Sequence, residues 1–165
     1  MIDRVHHLLL QVYRRLPRRA RRWVVRAVSP SYSVGAICLV ERPDGRILLV
    51  RQSYKDHWGV PGGLLRRGEQ PVTGAVREVV EEVGLAVEVV GEPVVVVEPG
   101  PRRIDVVFRT RPAPCADPDR ARPTSVEIRE VGWFGPDELP ELQDEAAQAL
   151  MALARSSHSP QGPTL

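Results

Sequence analysis

Between Gly63 and Leu85 the chain places three carboxylates on one flank of a short segment whose apolar residues recur at helical spacing. At about 100° per residue, Val72, Ala75, Val76, Val79, Val80 and Val83 fall on one stripe, the pattern of a helix facing a core. Glu78 and Glu82 are i,i+4 neighbours, and Glu81 lies three residues from Glu78. All three sit away from the valine stripe. Pro71 suits the first helical position and Gly84 the residue just past the end. The segment therefore predicts a buried helix with an acidic ridge. An isolated run of this kind is ordinarily a solvated face. Like charges at i,i+4 are mildly destabilising, however, and crowded carboxylates are costly unless a cation sits among them. The turn-rich approach Trp58-Gly59-Val60-Pro61-Gly62-Gly63 also favours a built site over a solvated face. Carboxylate oxygens suit a hard ion such as Mg²⁺, which brings water and substrate phosphates with it. Metal-assisted chemistry on a phosphorylated substrate follows.

Gly63, Glu69, Arg77, Glu78, Glu81, Glu82 and Gly84 stand at fixed spacing, with bulky aliphatics at Val79 and Leu85. These 23 of 165 residues match every position of G-x5-E-x7-R-E-U-x-E-E-x-G-U, where U is a bulky aliphatic. The segment resembles the box of the Nudix family, MutT-like hydrolases of nucleoside diphosphates linked to another moiety. The preceding W-x-x-P-G-G is similar to the family as well. The order of elements extends the resemblance from about Ser33 to about Arg155. It implies an α/β fold, the Nudix α/β/α sandwich with a mixed sheet, and a Mg²⁺-dependent hydrolase in which Mn²⁺ can substitute. Glu82 matches a principal metal ligand. Glu78 matches a second ligand that can also act as base, and Glu81 a ligand or base partner. Arg77 would orient Glu78 by a charge-assisted hydrogen bond. Glu69 would reach the metal through water or brace the loop. Gly62, Gly63 and Gly84 would be backbone positions needing positive φ or close approach, the first two next to the substrate. In many relatives a further glutamate outside the box binds metal, a few residues before a Trp-Phe strand end. Glu127 and Glu130 precede Trp133-Phe134. Glu127 has the better spacing, and Glu98 is another candidate.

Composition agrees with one soluble enzyme domain: 42% apolar and 27% charged residues are ordinary for a globular chain. Cys38 lies in an apolar strand pattern and Cys115 in a proline-rich loop. Two such cysteines make no disulfide framework and are expected to be reduced thiols in a cytoplasmic setting. Charge is spread unevenly. Residues 1–30 hold eight arginines and one acid, a net +7, whereas the whole chain is +2, which leaves −5 for residues 31–165. Val5, Leu8, Leu9, Val12 and Leu16 recur at helical spacing, and so do Ala20, Trp23, Val24, Ala27 and Val28 beyond Pro17. Two amphipathic helices are predicted, with Pro17 starting the second. Three readings of this extension stay open: packing against the domain or a homodimer partner, contact with an anionic membrane, and recruitment of RNA or a polyphosphate. No signal peptide or membrane span is evident.

The chain is accordingly divided into a basic helical extension (1–30), a Nudix domain (31–155) and a disordered tail (156–165). Strands are expected at Val34–Val40, Arg46–Arg51, within Leu85–Val97, at Ile104–Thr110 and at Val126–Phe134. Loops are expected at Tyr54–Pro61 and from Pro112 to Pro123. Leu142, Ala146, Ala149, Leu150 and Leu153 predict a closing helix.

Substrate choice is weakly encoded. In the family, a proline about fifteen residues beyond the box is linked to ADP-ribose hydrolysis, and Pro99 and Pro101 bracket that position. A hairpin turn accounts for Pro99-Gly100-Pro101 equally well. Arg51, Tyr54, His57, Arg102 and Arg103 could each meet a substrate, Tyr54 by stacking on a base and the arginines by holding phosphate or ribose. His57 has no partner motif and reads as a loop residue. An ADP-ribose-like or nucleotide-sugar substrate is expected first and a (d)NTP second. The competing function is a nucleotide sensor or interaction module that keeps the fold without turnover.

Overall fold

The computed structural model describes His7, Gln11, residues 13–29 and residues 31–158. The chain divides into two compact units, Met1–Tyr32 and Ser33–Leu165. In the first, helix α1 spans Arg18–Val28 behind Pro17, whose extended φ/ψ of −61°/154° sets the start. Its end is closed by the Ser29 N–H on the Val25 carbonyl at 2.8 Å. Arg18, Arg19 and Arg22 are exposed, as are Trp23, Val24 and Val25. Of the helix expected before Pro17, Tyr13–Arg15 are helical, whereas Val5, Leu8, Leu9 and Val12 lie outside the described residues.

The second unit combines two sheets, one of them mixed, with two helices. Strands β1 (Ser33–Val40), β2 (Ile47–Gln52), β3 (Trp58–Gly59), β4 (Gly62–Leu64), β5 (Val87–Val89), β6 (Val94–Glu98), β7 (Arg103–Pro112) and β8 (Ile128–Phe134) form two sheets. One runs β4-β1-β7-β5, with β6 also paired to β7; the other runs β3-β2-β8. Only β1 and β7 are parallel, from Ser33 opposite Arg103 to Val40 opposite Thr110. Helix α2 (Pro71–Val83) and helix α3 (Asp144–His158) complete the unit.

The near-continuous apolar run Ala36–Val40 reads as a strand covered on both faces, and it is. Ala36, Cys38 and Val40 join Leu48, Val50, Ala75, Val79, Val83 and Phe108 in one core. Ile37 and Leu39 join Ile47, Leu49, Val107, Ala146, Ala149 and Leu153 in the other. Burial pushes the Cys38 thiol up to about 12, so it is an inert core group. Cys115 is exposed, and both thiols are free. Among the described residues no helix is long and apolar enough to cross a membrane.

Several expectations shift. The valine stripe of α2 is narrower than its periodicity suggests. Ala75, Val79 and Val83 are buried, but Val72 and Val80 are 43% and 47% exposed. The core covers the Ala75-Val79-Val83 row fully and Val76 in part, and the buried arc turns toward the ridge to take in Glu82. The Tyr54–Pro61 loop contains the two-residue strand β3, and the Pro112–Pro123 loop contains a 3₁₀ turn at Pro118–Arg120. Leu142 precedes α3 and bridges Trp58. That helix continues through Ser156 to His158; residues 159–165 lie outside the described residues.

Candidate functional site

Helix α2 carries the ridge, and its ends are fixed by the chain around it. Pro71 occupies the first turn, and Gly84 closes the helix at φ +67°, with its N–H on the Val80 carbonyl at 3.0 Å. That left-handed conformation is what glycine adopts without a Cβ penalty. The loop after the helix returns to cap it. The Thr124 N–H reaches the Glu82 carbonyl at 3.0 Å and the Thr124 hydroxyl the Glu81 carbonyl at 2.9 Å.

Arg77 organises one end of the box. Its Nε and Nη2 donate to the two oxygens of Glu69 at 2.8 and 2.9 Å, a bidentate fork. Its Nη1 donates to Glu78 Oε1 at 2.7 Å and to Glu81 Oε2 at 3.0 Å. Glu69 also accepts the Arg66 N–H at 2.8 Å, so it braces the loop. The Arg77 hydrogen bonds, with that backbone N–H next, hold the Glu69 carboxyl down at about 2. Arg66 Nη2 reaches Glu81 at 2.8 Å.

Glu82 is the opposite case. It is buried, 5% exposed, and its one hydrogen bond among the described residues comes from the Gly62 N–H at 3.2 Å. Burial first, then the nearby charges of Glu78, Glu127 and Glu81, push its carboxyl up to about 8, against the pull of the Gly62 N–H. Gly63 lies beneath Glu78: a Cβ there would sit 2.6 Å from Glu78 Oε1.

These groups open on a cavity of about 800 Å³. Of the residues singled out from sequence, Gly62, Gly63, Tyr54, Arg77, Glu78, Glu81, Glu82, Arg103 and Glu127 line it. Glu69 stands behind Arg77. Arg51 lies outside the lining, paired with Glu130 at 3.3 Å. His57 faces Glu141 at 3.4 Å, Arg102 sits in the β6–β7 turn at φ 53°, and Glu98 is at the end of β6.

The lining also includes residues that no motif marked. Lys55 donates to Gln143 at 2.9 Å and to Glu145 at 3.4 Å. Arg103 Nε donates to Asp105 Oδ2 at 2.7 Å. The one legible signal was Asp105 itself, a carboxylate within the apolar stretch Ile104–Phe108 and two residues from Arg103. Tyr54 sits between the two walls. Its hydroxyl is raised by burial, then by Glu127 and Glu82, and is pulled back by Arg103.

The donor set suits a hard divalent cation: a buried carboxylate crowded by other carboxylates, with no arginine on it, is stabilised by an external positive charge. Among the described residues no three acidic, histidine or cysteine side chains already converge on one point. Arg77 draws Glu78 and Glu81 to itself.

A family model for the NUDIX domain matches residues 31–153. The chain is 37% identical over 116 residues to a MutT-like protein of Streptomyces ambofaciens, covering 70% of this chain and 72% of that one. A NUDIX hydrolase structure from Nitrosomonas europaea superposes with a TM-score of 0.67 at 26% identity, over 80% of this chain and 76% of that one. An ADP-ribose pyrophosphatase structure from Streptococcus suis gives 0.63 at 27% identity, over 81% and 98% of the two chains.

Proposed function

This chain belongs to the NUDIX hydrolase family, and from that premise we propose that it hydrolyses, with Mg²⁺, a nucleoside diphosphate linked to another moiety. Water attacks a phosphorus of the pyrophosphate. An ADP-ribose-like or nucleotide-sugar substrate is favoured, with (d)NTPs second. The observation that carries the reading is the contrast between Glu69, both of whose oxygens are taken by Arg77, and Glu82, which is buried among carboxylates with no arginine of its own. The likeness to a solved ADP-ribose pyrophosphatase supports the substrate preference. The prolines do not, because Pro99–Arg102 form the β6–β7 turn and are accounted for by it.

Glu82, Glu78 and Glu127 would hold the metal, with Glu81 beside them and Glu69 behind. Bound there, it would neutralise charge on the diphosphate and acidify the attacking water. The chain's own residues do the rest. Arg77 holds the Glu78 carboxylate, which would accept a proton from water. Glu81 shares Arg77 with it. Gly62 and Gly63 let the diphosphate approach the backbone, and Tyr54 offers a ring face to a base. The absence of a side chain at Gly63 keeps the space beneath Glu78 clear.

Turnover of ADP-ribose, nucleotide sugars, dinucleoside polyphosphates and (d)NTPs with and without Mg²⁺ tests the reading, with ¹⁸O-water locating the attacked phosphorus. Metal-dependent cleavage that puts ¹⁸O into a phosphate product is expected. The competing reading, a nucleotide sensor without turnover, draws on the ridge's engagement by Arg77. Tight nucleotide binding with no cleavage of any substrate in the panel would establish it instead.

A further inference from the structure

Arg103, in the cavity wall, forms a part-buried ion pair with Asp105 that the ridge chemistry does not use. Asp105 is 2% exposed, near the start of β7. One of its oxygens accepts from Arg103 Nε at 2.7 Å, and the other, Oδ1, is buried with no hydrogen-bond partner. Such an arrangement is a poor stabiliser. Taking a carboxylate out of water is costly, and leaving one oxygen unsatisfied adds to the cost. An apolar residue paired with Val96 across the β6–β7 ladder would hold the strands together better.

What the pair does fix is direction. Arg103 and Asp105 lie two residues apart on one face of β7, and the bond to Nε orients the guanidinium edge-on. Its Nη donors make no hydrogen bond among the described residues, although the charges of Glu145 and Glu98 act on the guanidinium from nearby, and the side chain lines the cavity. The other cations of the lining are engaged: Lys55 by Gln143 and Glu145, Arg66 by Glu81, and Arg77 by Glu69, Glu78 and Glu81.

Two glycines make room for this. Gly35 pairs with Leu64 and turns to the Arg103 face. A Cβ there would run into Asp105 Oδ1 and sit 3.2 Å from Arg103 Nη2 and 3.3 Å from the Gly63 carbonyl. Gly63, next along the edge strand β4, turns to the other face, toward Glu78. The cavity lining therefore includes Gly62 and Gly63 beside Leu64 at the sheet edge, with the ridge carboxylates and the Arg103 guanidinium both facing it.

We propose that Arg103 is the specificity-determining contact for a second phosphate of the substrate, and that Asp105 is the positioning residue that aims it. The inference rests on the diphosphate reading above and narrows it. The phosphate beside the one held at the ridge crosses the Gly63 edge and is received by the Nη pair, whose planar fork suits phosphate oxygens. Substrates with adjacent phosphates are selected over monophosphate esters.

Calorimetry of the full chain with ADP and with AMP, in Mg²⁺, tests this without turnover. The wild type is expected to bind ADP at least tenfold more tightly than AMP. Arg103→Ala leaves Asp105 as an unpaired buried charge and is at risk of misfolding, so the double variant R103A/D105N, which removes both charges, is the main probe. Its ADP-over-AMP ratio is expected to fall about tenfold, through ADP alone. D105N by itself lowers ADP affinity several-fold, and in the R103A background it lowers it no further. An unchanged ratio in R103A/D105N overturns the proposal. So does an Asp105 effect that persists without Arg103, which would make Asp105 merely structural. Failure of the wider reading looks different: no metal-dependent cleavage of any diphosphate, whatever the ADP ratio does.

Discussion

The two ends of the box treat their carboxylates in opposite ways. At the first, Glu69 receives an arginine fork and a backbone N–H, and its carboxyl is held at about 2. At the second, Glu82 receives one N–H, no arginine among the described residues and three negative neighbours, and its carboxyl rises to about 8. Both residues belong to one sequence pattern. The difference shows that the acidic residues of the box are not equivalent. One end is a self-contained ionic brace, and the other is left electrostatically incomplete.

The comparison can be broken most decisively at Glu82. Glu82→Gln keeps the shape and removes the charge. It is expected to cost about 10³-fold or more in turnover at saturating Mg²⁺, roughly 4 kcal/mol of transition-state stabilisation, while the melting temperature is kept or raised. Comparable turnover in that variant would mean that the incomplete end is not where the chemistry happens. Arg77→Gln strikes the brace instead. Glu69 and Glu78 lose their shared cation, and activity is expected to drop about 10- to 100-fold, as for other groups that orient metal ligands. Titrating Mg²⁺ in the activity assay separates weakened metal binding from lost chemistry. Gly63→Ala is the next step down. Its Cβ would lie 2.6 Å from Glu78 Oε1 and 2.7 Å from its Cδ, so Glu78 must turn aside. About tenfold lower kcat with an almost unchanged melting temperature is the expected result.

The smallest effect is on stability, and it has opposite signs at the two ends. Glu82 has a folded value raised above the ordinary carboxylate range. Its favourable contribution is complete below about pH 4.5 and is lost as pH rises toward about 8. In metal-free protein this loss is on the order of 1–3 kcal/mol, absent in Glu82→Gln and reversed by added Mg²⁺. Glu69 has a depressed value, so its contribution is present above the ordinary range and lost as pH falls toward about 2. Melting curves of the wild type, Glu82→Gln and Glu69→Gln across pH 3–9 check both signs.

Sequence reasoning reached the box because a single helix concentrates it. Spacing located α2 from Pro71 to Val83, its glycine stop, and the strand later found as β1. It did not reveal which glutamate turns inward. Val72 and Val80 share the apolar stripe yet stay exposed, since burial depends on how far the sheet extends beneath the helix. The far wall was harder still. Lys55, Gln143 and Glu145 converge from separate segments, and Arg103 and Asp105 are aimed by strand register. Arg51 is chemically as suitable as Arg103, but its register hands it to Glu130.

The threonine that caps α2 has a further consequence. Glu127 lies three residues past Thr124, and its own carbonyl takes the Ser53 N–H at 2.8 Å. The segment bearing Glu127 is thus stitched at one point to the helix bearing Glu82 and at another to the strand end below Tyr54. Opening that segment in a thermal fluctuation would uncap the helix end and release the strand end at once. Amide exchange at Thr124 and Ser53 should slow together when a nucleotide and Mg²⁺ bind.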